Sequence, residues 1–94
     1  MTTVQFDATF ILGAVNLEMT RANIAVTELN RLTTIGYLDS QTGLDKAEEV
    51  KTHLTRAYAL LEKVDTPDAK AAKTGLAATI ATQDLVIHRI KGSI

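Results

Sequence analysis

Two histidines and a pair of adjacent glutamates, Glu48 and Glu49, are the side chains best suited to acid–base or metal chemistry. His53 follows Glu49 by four residues, whereas di-iron bundles use Glu-x-x-His, with the two ligands three residues apart. Neighbouring helical residues point about 100° apart, so Glu48 and Glu49 cannot share a proton or a metal ion. Two histidines in a chain without cysteine are too few for a structural zinc site. We therefore expect no catalytic, metal or cofactor site.

The remaining chemical signals have structural explanations. His53 falls at the rim of an apolar stripe, and His88 falls near a helix C-terminus, where an imidazolium is mildly favoured. Gly75 and Gly92 are isolated, so no glycine-rich phosphate loop exists, and no serine lies in a nucleophile-elbow context. The sequence predicts a protein that is not an enzyme.

Almost no stretch of the chain alternates apolar and polar residues with period two, so helices rather than strands must position these side chains. The predicted fold is all-α, one domain over residues 1–94. It is an antiparallel three-helix bundle or helical hairpin with a long first helix, and it is oligomeric. The helices are expected at about residues 5–35, 43–64 and 67–91, with the second packed between the other two.

Capping signals set these boundaries. Gly36 is suited to end the first helix in the left-handed conformation. Thr42 or Asp45 resembles the start of a capping box for the second helix. Thr66 followed by Pro67 is typical of an N-cap and first helical residue, and Gly92 is expected to stop the third helix.

The first helix carries two apolar rows when it is written in sevens from Asp7. The main stripe resembles the a and d positions of a coiled coil, with Glu18 as its only polar member. A second row lies about 150° away from it, and a three-helix bundle needs contacts over only about 60°. Another molecule is therefore expected to cover the second row. The main stripe is Ala8, Ile11, Val15, Glu18, Ala22, Ala25, Leu29 and Leu32, widened by Leu12, Met19 and Val26; the second row is Phe6, Phe10, Leu17 and Ile24.

Uncharged polar residues fill the face that should be wettest. Asparagine and threonine favour helix less than lysine, glutamate or arginine, which usually cover solvated faces. We interpret this face as a hydrogen-bonding contact with another helix, and the alternative is an ordinary exposed face. Its asparagines are Asn16, Asn23 and Asn30.

The third helix also carries two rows. Its main stripe is Ala69, Ala72, Leu76, Ile80, Ile87 and Ile90, interrupted by Gln83. A row of small residues, Ala71, Gly75, Ala78 and Thr82, is suited to close approach of a second helix. Gly75 in mid-helix costs about 1 kcal/mol relative to alanine, so close packing is the expected reason for it.

Charge and hydropathy limit the possible partners. The net charge is −1, but residues 1–50 carry −4 and residues 51–94 carry +3, which favours antiparallel or head-to-tail packing over polyanion binding. No basic stripe with aromatic platforms is present, so nucleic acid is not an expected partner. The run "ATFILGAVNLEM" is preceded by an acidic segment and soon interrupted by Glu18 and Arg21, which is atypical of a signal peptide or membrane span. We expect a soluble chain, cytoplasmic or part of an assembled particle.

These patterns favour a non-enzymatic helical assembly or structural protein that forms homo-oligomers through its first helix. The first alternative is a small adaptor or regulator that presents the same row to a different protein. A DNA-binding regulator is a further alternative that the pattern favours less.

Overall fold

Three long helices make up the computed structural model, which describes the backbone of residues 2–94 and the side chains of residues 9–94. Helix α1 spans Thr2–Thr34, α2 spans Gln41–Leu61 and α3 spans Pro67–Ser93. No strand occurs among these residues, and the helices pack against one another. The predicted all-helical fold class is therefore confirmed.

The end of α1 follows from one glycine. Gly36 has φ +82°, a left-handed conformation that residues with a Cβ adopt at a cost. The Tyr37 N–H donates to the Leu32 carbonyl at 2.8 Å, and the Gly36 N–H donates to the Thr33 carbonyl at 3.2 Å. These two bonds form a Schellman motif, so the predicted role of Gly36 is confirmed.

Helix α2 begins two residues earlier than expected. Neither Thr42 nor Asp45 is the cap, because the Ser40 side chain accepts a hydrogen bond from the Gly43 N–H at 3.1 Å. Gly43 is buried so tightly that an added Cβ would lie 1.9 Å from the Leu38 carbonyl oxygen. This close approach of helix and loop is why glycine is required there. The helix ends at Leu61, where the N–H groups of the next turn bond three residues back.

The third helix starts as predicted and ends later. Thr66 is the N-cap, its side chain accepting from the Ala69 N–H at 3.1 Å, and Pro67 occupies the first turn. Gly92 does not stop the helix, which continues to Ser93. The prediction for Gly92 was wrong, since only Gly36 adopts positive φ among the described residues.

Helix α2 lies between the other two. Its apolar stripe is buried, and both α1 and α3 pack on it. No Cα of α1 lies within 8 Å of a Cα of α3 in the described residues, so those two meet only through side chains at a shared core. The buried residues of α2 are Gly43, Leu44, Ala47, Val50, Leu54, Ala57 and Leu61.

The resulting shape is elongated. Its longest dimension is 52 Å, and its radius of gyration is 15.3 Å. A compact chain of this length has a radius of about 12 Å. Because α1 has 33 residues and α2 only 21, one neighbour cannot cover the whole length of α1.

Of the five glycines, only Gly43 lies where an added Cβ would meet other atoms within 4 Å. We expect Gly43→Ala to lower the free energy of unfolding by about 1–3 kcal/mol, because the Leu38 carbonyl or the helix must shift. Gly75→Ala is the matched control. A Cβ there would meet nothing within 4 Å, so this substitution should raise stability by about 0.5–1 kcal/mol. Urea unfolding followed by circular dichroism measures both, and a stable Gly43→Ala variant would refute the packing described here.

Candidate interaction surface on the first helix

The second apolar row of α1 lies in solvent. Phe10 is 70 % exposed, Leu17 51 % and Ile24 65 %. Phe6, the fourth member of the predicted row, lies outside the residues whose side chains the structure describes. We call Phe10, Leu17 and Ile24 the α1 row. A role in binding stays a prediction.

The position of the α1 row follows from the burial pattern of the same helix. Buried residues of α1 are spaced alternately by three and four, which places them on the side that faces α2. The α1 row repeats every seven residues on a different side of the helix, which neither α2 nor α3 covers. The buried residues of α1 are Val15, Glu18, Ala22, Ala25, Leu29 and Leu32.

A polar strip of asparagines and threonines lies beside the α1 row. In it, a threonine hydroxyl repeatedly donates a hydrogen bond to the carbonyl of the asparagine four residues earlier. Thr20 donates its hydroxyl to the Asn16 carbonyl at 2.9 Å, and Thr27 donates to the Asn23 carbonyl at 3.0 Å. The same bond joins Thr34 to Asn30 at 3.0 Å. The hydroxyl donors are therefore already used within the helix.

The three asparagine amides differ from the threonine hydroxyls. Asn16, Asn23 and Asn30 are exposed, and none of their side chains hydrogen-bonds to another described residue. These amides, rather than the hydroxyls, are the groups of the strip that still have donors to offer. Sequence reasoning treated the two residue types alike, because the i−4 bonds are visible only in the structure.

Behind the α1 row, the polar member of the main stripe has a specific partner. Oε1 of Glu18 lies 2.8 Å from Nδ1 of His53 on α2, and both side chains are largely buried. Arg21 is more distant, with its guanidinium 4.0 Å from the same oxygen. Sequence reasoning placed His53 at the rim of the stripe but missed this pair. The sequence signal for this pair is Glu18, the one polar residue of the α1 stripe, together with His53 at the rim of the apolar stripe of α2.

A second polar contact joins α2 to α3. Gln83, which interrupts the apolar stripe of α3, donates from Nε2 to the Ala47 carbonyl at 2.9 Å. Lys51 and Asp84 add an ion pair at 2.6 Å between the same helices. No buried side-chain nitrogen or oxygen among the described residues lacks a hydrogen-bond partner. Glu18 on α1 and Gln83 on α3, the polar residues within the apolar stripes, therefore each bind one group on α2.

The small-residue row of α3 is exposed along its length. Ala71, Gly75, Ala78 and Thr82 face away from the other helices, and an added Cβ at Gly75 would meet nothing within 4 Å. No packing among the described residues therefore explains Gly75, and contact with another molecule stays a prediction.

Ala72 departs from the expected stripe of α3. It was expected to be buried and is exposed, while Lys73 is half-buried beside Tyr58. The long aliphatic stem of lysine covers more apolar surface at this level than an alanine methyl group.

Among the described side chains of α1, Glu28 and Arg31 form an exposed ion pair near the C-terminal end. Arg31 Nε donates to the two carboxylate oxygens of Glu28 at 3.0 and 3.1 Å. These hydrogen bonds lower the pKa of Glu28 and raise that of Arg31. The pair lies in solvent, so it neutralises local charge and adds little to stability.

One groove of the structure lies between α2 and α3. It has a volume of about 320 Å³ and is lined by Glu48, Lys51, Asp84, His88 and other residues. Lys51 is paired with Asp84 there, and Lys91 lies 4.0 Å from Glu48. In the described part of the chain, no group of three or more histidine, aspartate or glutamate side chains could hold a metal ion.

Hydropathy and similarity to known proteins give two further results. Within the described residues, none of the helices has a window apolar and long enough to cross a membrane. Comparison with protein-family models, curated proteins and solved structures gives no significant match.

The pair of Glu18 and His53 tests how α1 is held on α2. We expect His53→Ala to lower the free energy of unfolding by about 2 kcal/mol, because it leaves a largely buried carboxylate without its partner. Replacing both residues by leucine should recover most of that loss, since an apolar pair of similar volume can substitute for a buried polar pair. A double-mutant cycle by urea unfolding measures the coupling, and additive effects would contradict a direct interaction.

Proposed function

We propose that this chain is a non-enzymatic helical assembly protein that self-associates through α1. The observation that carries the proposal is the α1 row, three large apolar side chains at heptad spacing, each at least half exposed. Contiguous apolar patches on soluble monomers rarely exceed a few hundred Å² without an interaction role. A second α1 helix, with the same spacing of apolar residues, is a partner whose repeat matches this row.

Simple energetics set the expected strength of association. Full burial of each large apolar side chain contributes about 1.5–3 kcal/mol, and each of the two copies would contribute three such side chains. Association itself costs about 4–15 kcal/mol in lost freedom. The two terms are of similar size, so we expect a weak, concentration-dependent association rather than a permanent oligomer.

The asparagine strip is consistent with this role. Asn16 and Asn23 lie in register with the α1 row at the same heptad spacing, and their amides have no partner within the described residues. Each directly precedes a residue of the α1 row and points about 100° away from it, so these amides flank the contact without bringing charge to it.

A matched pair of double variants tests the α1 row. Leu17→Glu with Ile24→Glu should give a monomer with unchanged helical circular dichroism, because both side chains lie in solvent in the single chain. The control is Leu85→Glu with Ile94→Glu, which adds the same charge at apolar residues that are 71 % and 55 % exposed. Light scattering should show the oligomer retained in the control.

Two results would contradict the proposal. One is an unchanged particle mass when both residues of the α1 row are replaced. The other is equal dissociation by the control variant, which would assign the effect to net charge rather than to the α1 row. Loss of the helical signal would instead place Leu17 and Ile24 in the core of the single chain.

A further inference from the structure

We infer that the α1 helices of two copies pack antiparallel, across a two-fold axis that passes close to Leu17. This inference rests on the proposed function and adds the orientation and number of the partner chains. Phe10 and Ile24 each lie seven residues from Leu17. The axis therefore sets Phe10 at the level of Ile24 of the partner subunit and brings the two Leu17 side chains together. Such a contact is self-complementary and closed, as a two-fold dimer requires.

The distribution of charge along α1 favours this orientation. Residues 9–17 carry no charged side chain, whereas Arg21, Glu28 and Arg31 all follow Leu17. Parallel helices in register would bring Arg21 against Arg21 of the partner subunit, which costs free energy. Antiparallel helices instead place Arg21 at the level of Gly13 of the partner subunit, within the uncharged stretch of residues 9–17. They also align the two helix dipoles favourably.

Gly13 supplies the space that this arrangement needs. Arg21 lies four residues after Leu17 and Gly13 four residues before it, so the axis brings them to the same level. Gly13 is exposed, and an added Cβ would meet nothing within 4 Å. The side chain of Arg21 is 51 % exposed, with its nearest carboxylate at 4.0 Å. Its aliphatic stem can therefore lie over Gly13 of the partner subunit.

Distances between spin labels determine the orientation. The chain has no native cysteine, so Asn16→Cys and Asn30→Cys each give one labelling site, and neither removes a residue of the α1 row. With a rise of about 1.5 Å per residue, an axis at Leu17 separates the two labels at position 16 by about 3 Å along the helices. It separates the two labels at position 30 by about 39 Å. Parallel helices give the same short separation at both positions.

The expected result is a short distance for the label at position 16 and one of about 40 Å or more at position 30, measured by pulsed electron resonance. Equal distances at the two positions, or a particle of more than two chains, would overturn the antiparallel dimer. Those results would leave self-association intact. A monomeric mass without dipolar coupling would overturn the proposed function as well.

A charge-neutralising variant gives a second readout. In a parallel pair, Arg21→Gln would remove a repulsion and tighten association several-fold. In the antiparallel dimer it should change the dissociation constant by less than about twofold, since Arg21 faces an uncharged region there. Sedimentation equilibrium measures the change, and marked tightening would overturn the orientation.

Discussion

The apolar stripe of α2 is the surface on which the other two helices depend. Its alanines and branched residues are buried from Leu44 to Leu61, and both α1 and α3 pack on it. The outer helices do not approach each other closely along their backbones and meet only through side chains, so α2 is the main neighbour of each within the described residues. The side of α1 that faces neither α2 nor this shared core is left in solvent. The exposure of the α1 row follows from this arrangement.

Apolar burial alone would allow the helices to slide along one another, since alanine, leucine and valine are nearly interchangeable along the stripe. A polar residue within the α1 stripe removes that freedom for α1. Glu18 reaches the one histidine of α2, so a shift of one turn would leave its largely buried carboxylate without that partner, whereas Gln83 bonds a backbone carbonyl, a group that recurs along α2. We therefore regard the contact between Glu18 and His53 as the feature that sets the register of α1 on α2.

The sequence was most informative where one residue decides the local structure. Gly36 and Thr66–Pro67 were assigned correctly because a left-handed cap and an N-cap each depend on the chemistry of one or two residues. The start of α2 was assigned wrongly, since Ser40, Thr42 and Asp45 can all cap a helix and the choice depends on how Gly43 packs against Leu38. The burial of Lys73 in place of Ala72 likewise depends on tertiary packing. For the candidate surface, spacing alone predicted exposure of Phe10, Leu17 and Ile24. It could not show that the threonine hydroxyls bond within the helix and the asparagine amides do not.

Self-association through α1 connects these observations, because it gives the exposed apolar row a partner with the same repeat. The most direct test is the mass of the native particle as a function of concentration, measured by light scattering or sedimentation equilibrium. A single chain has a mass of 10.2 kDa. The account predicts a mass about twice that value at high micromolar concentration, falling toward one chain on dilution. A mass of one chain throughout the high micromolar range would contradict it.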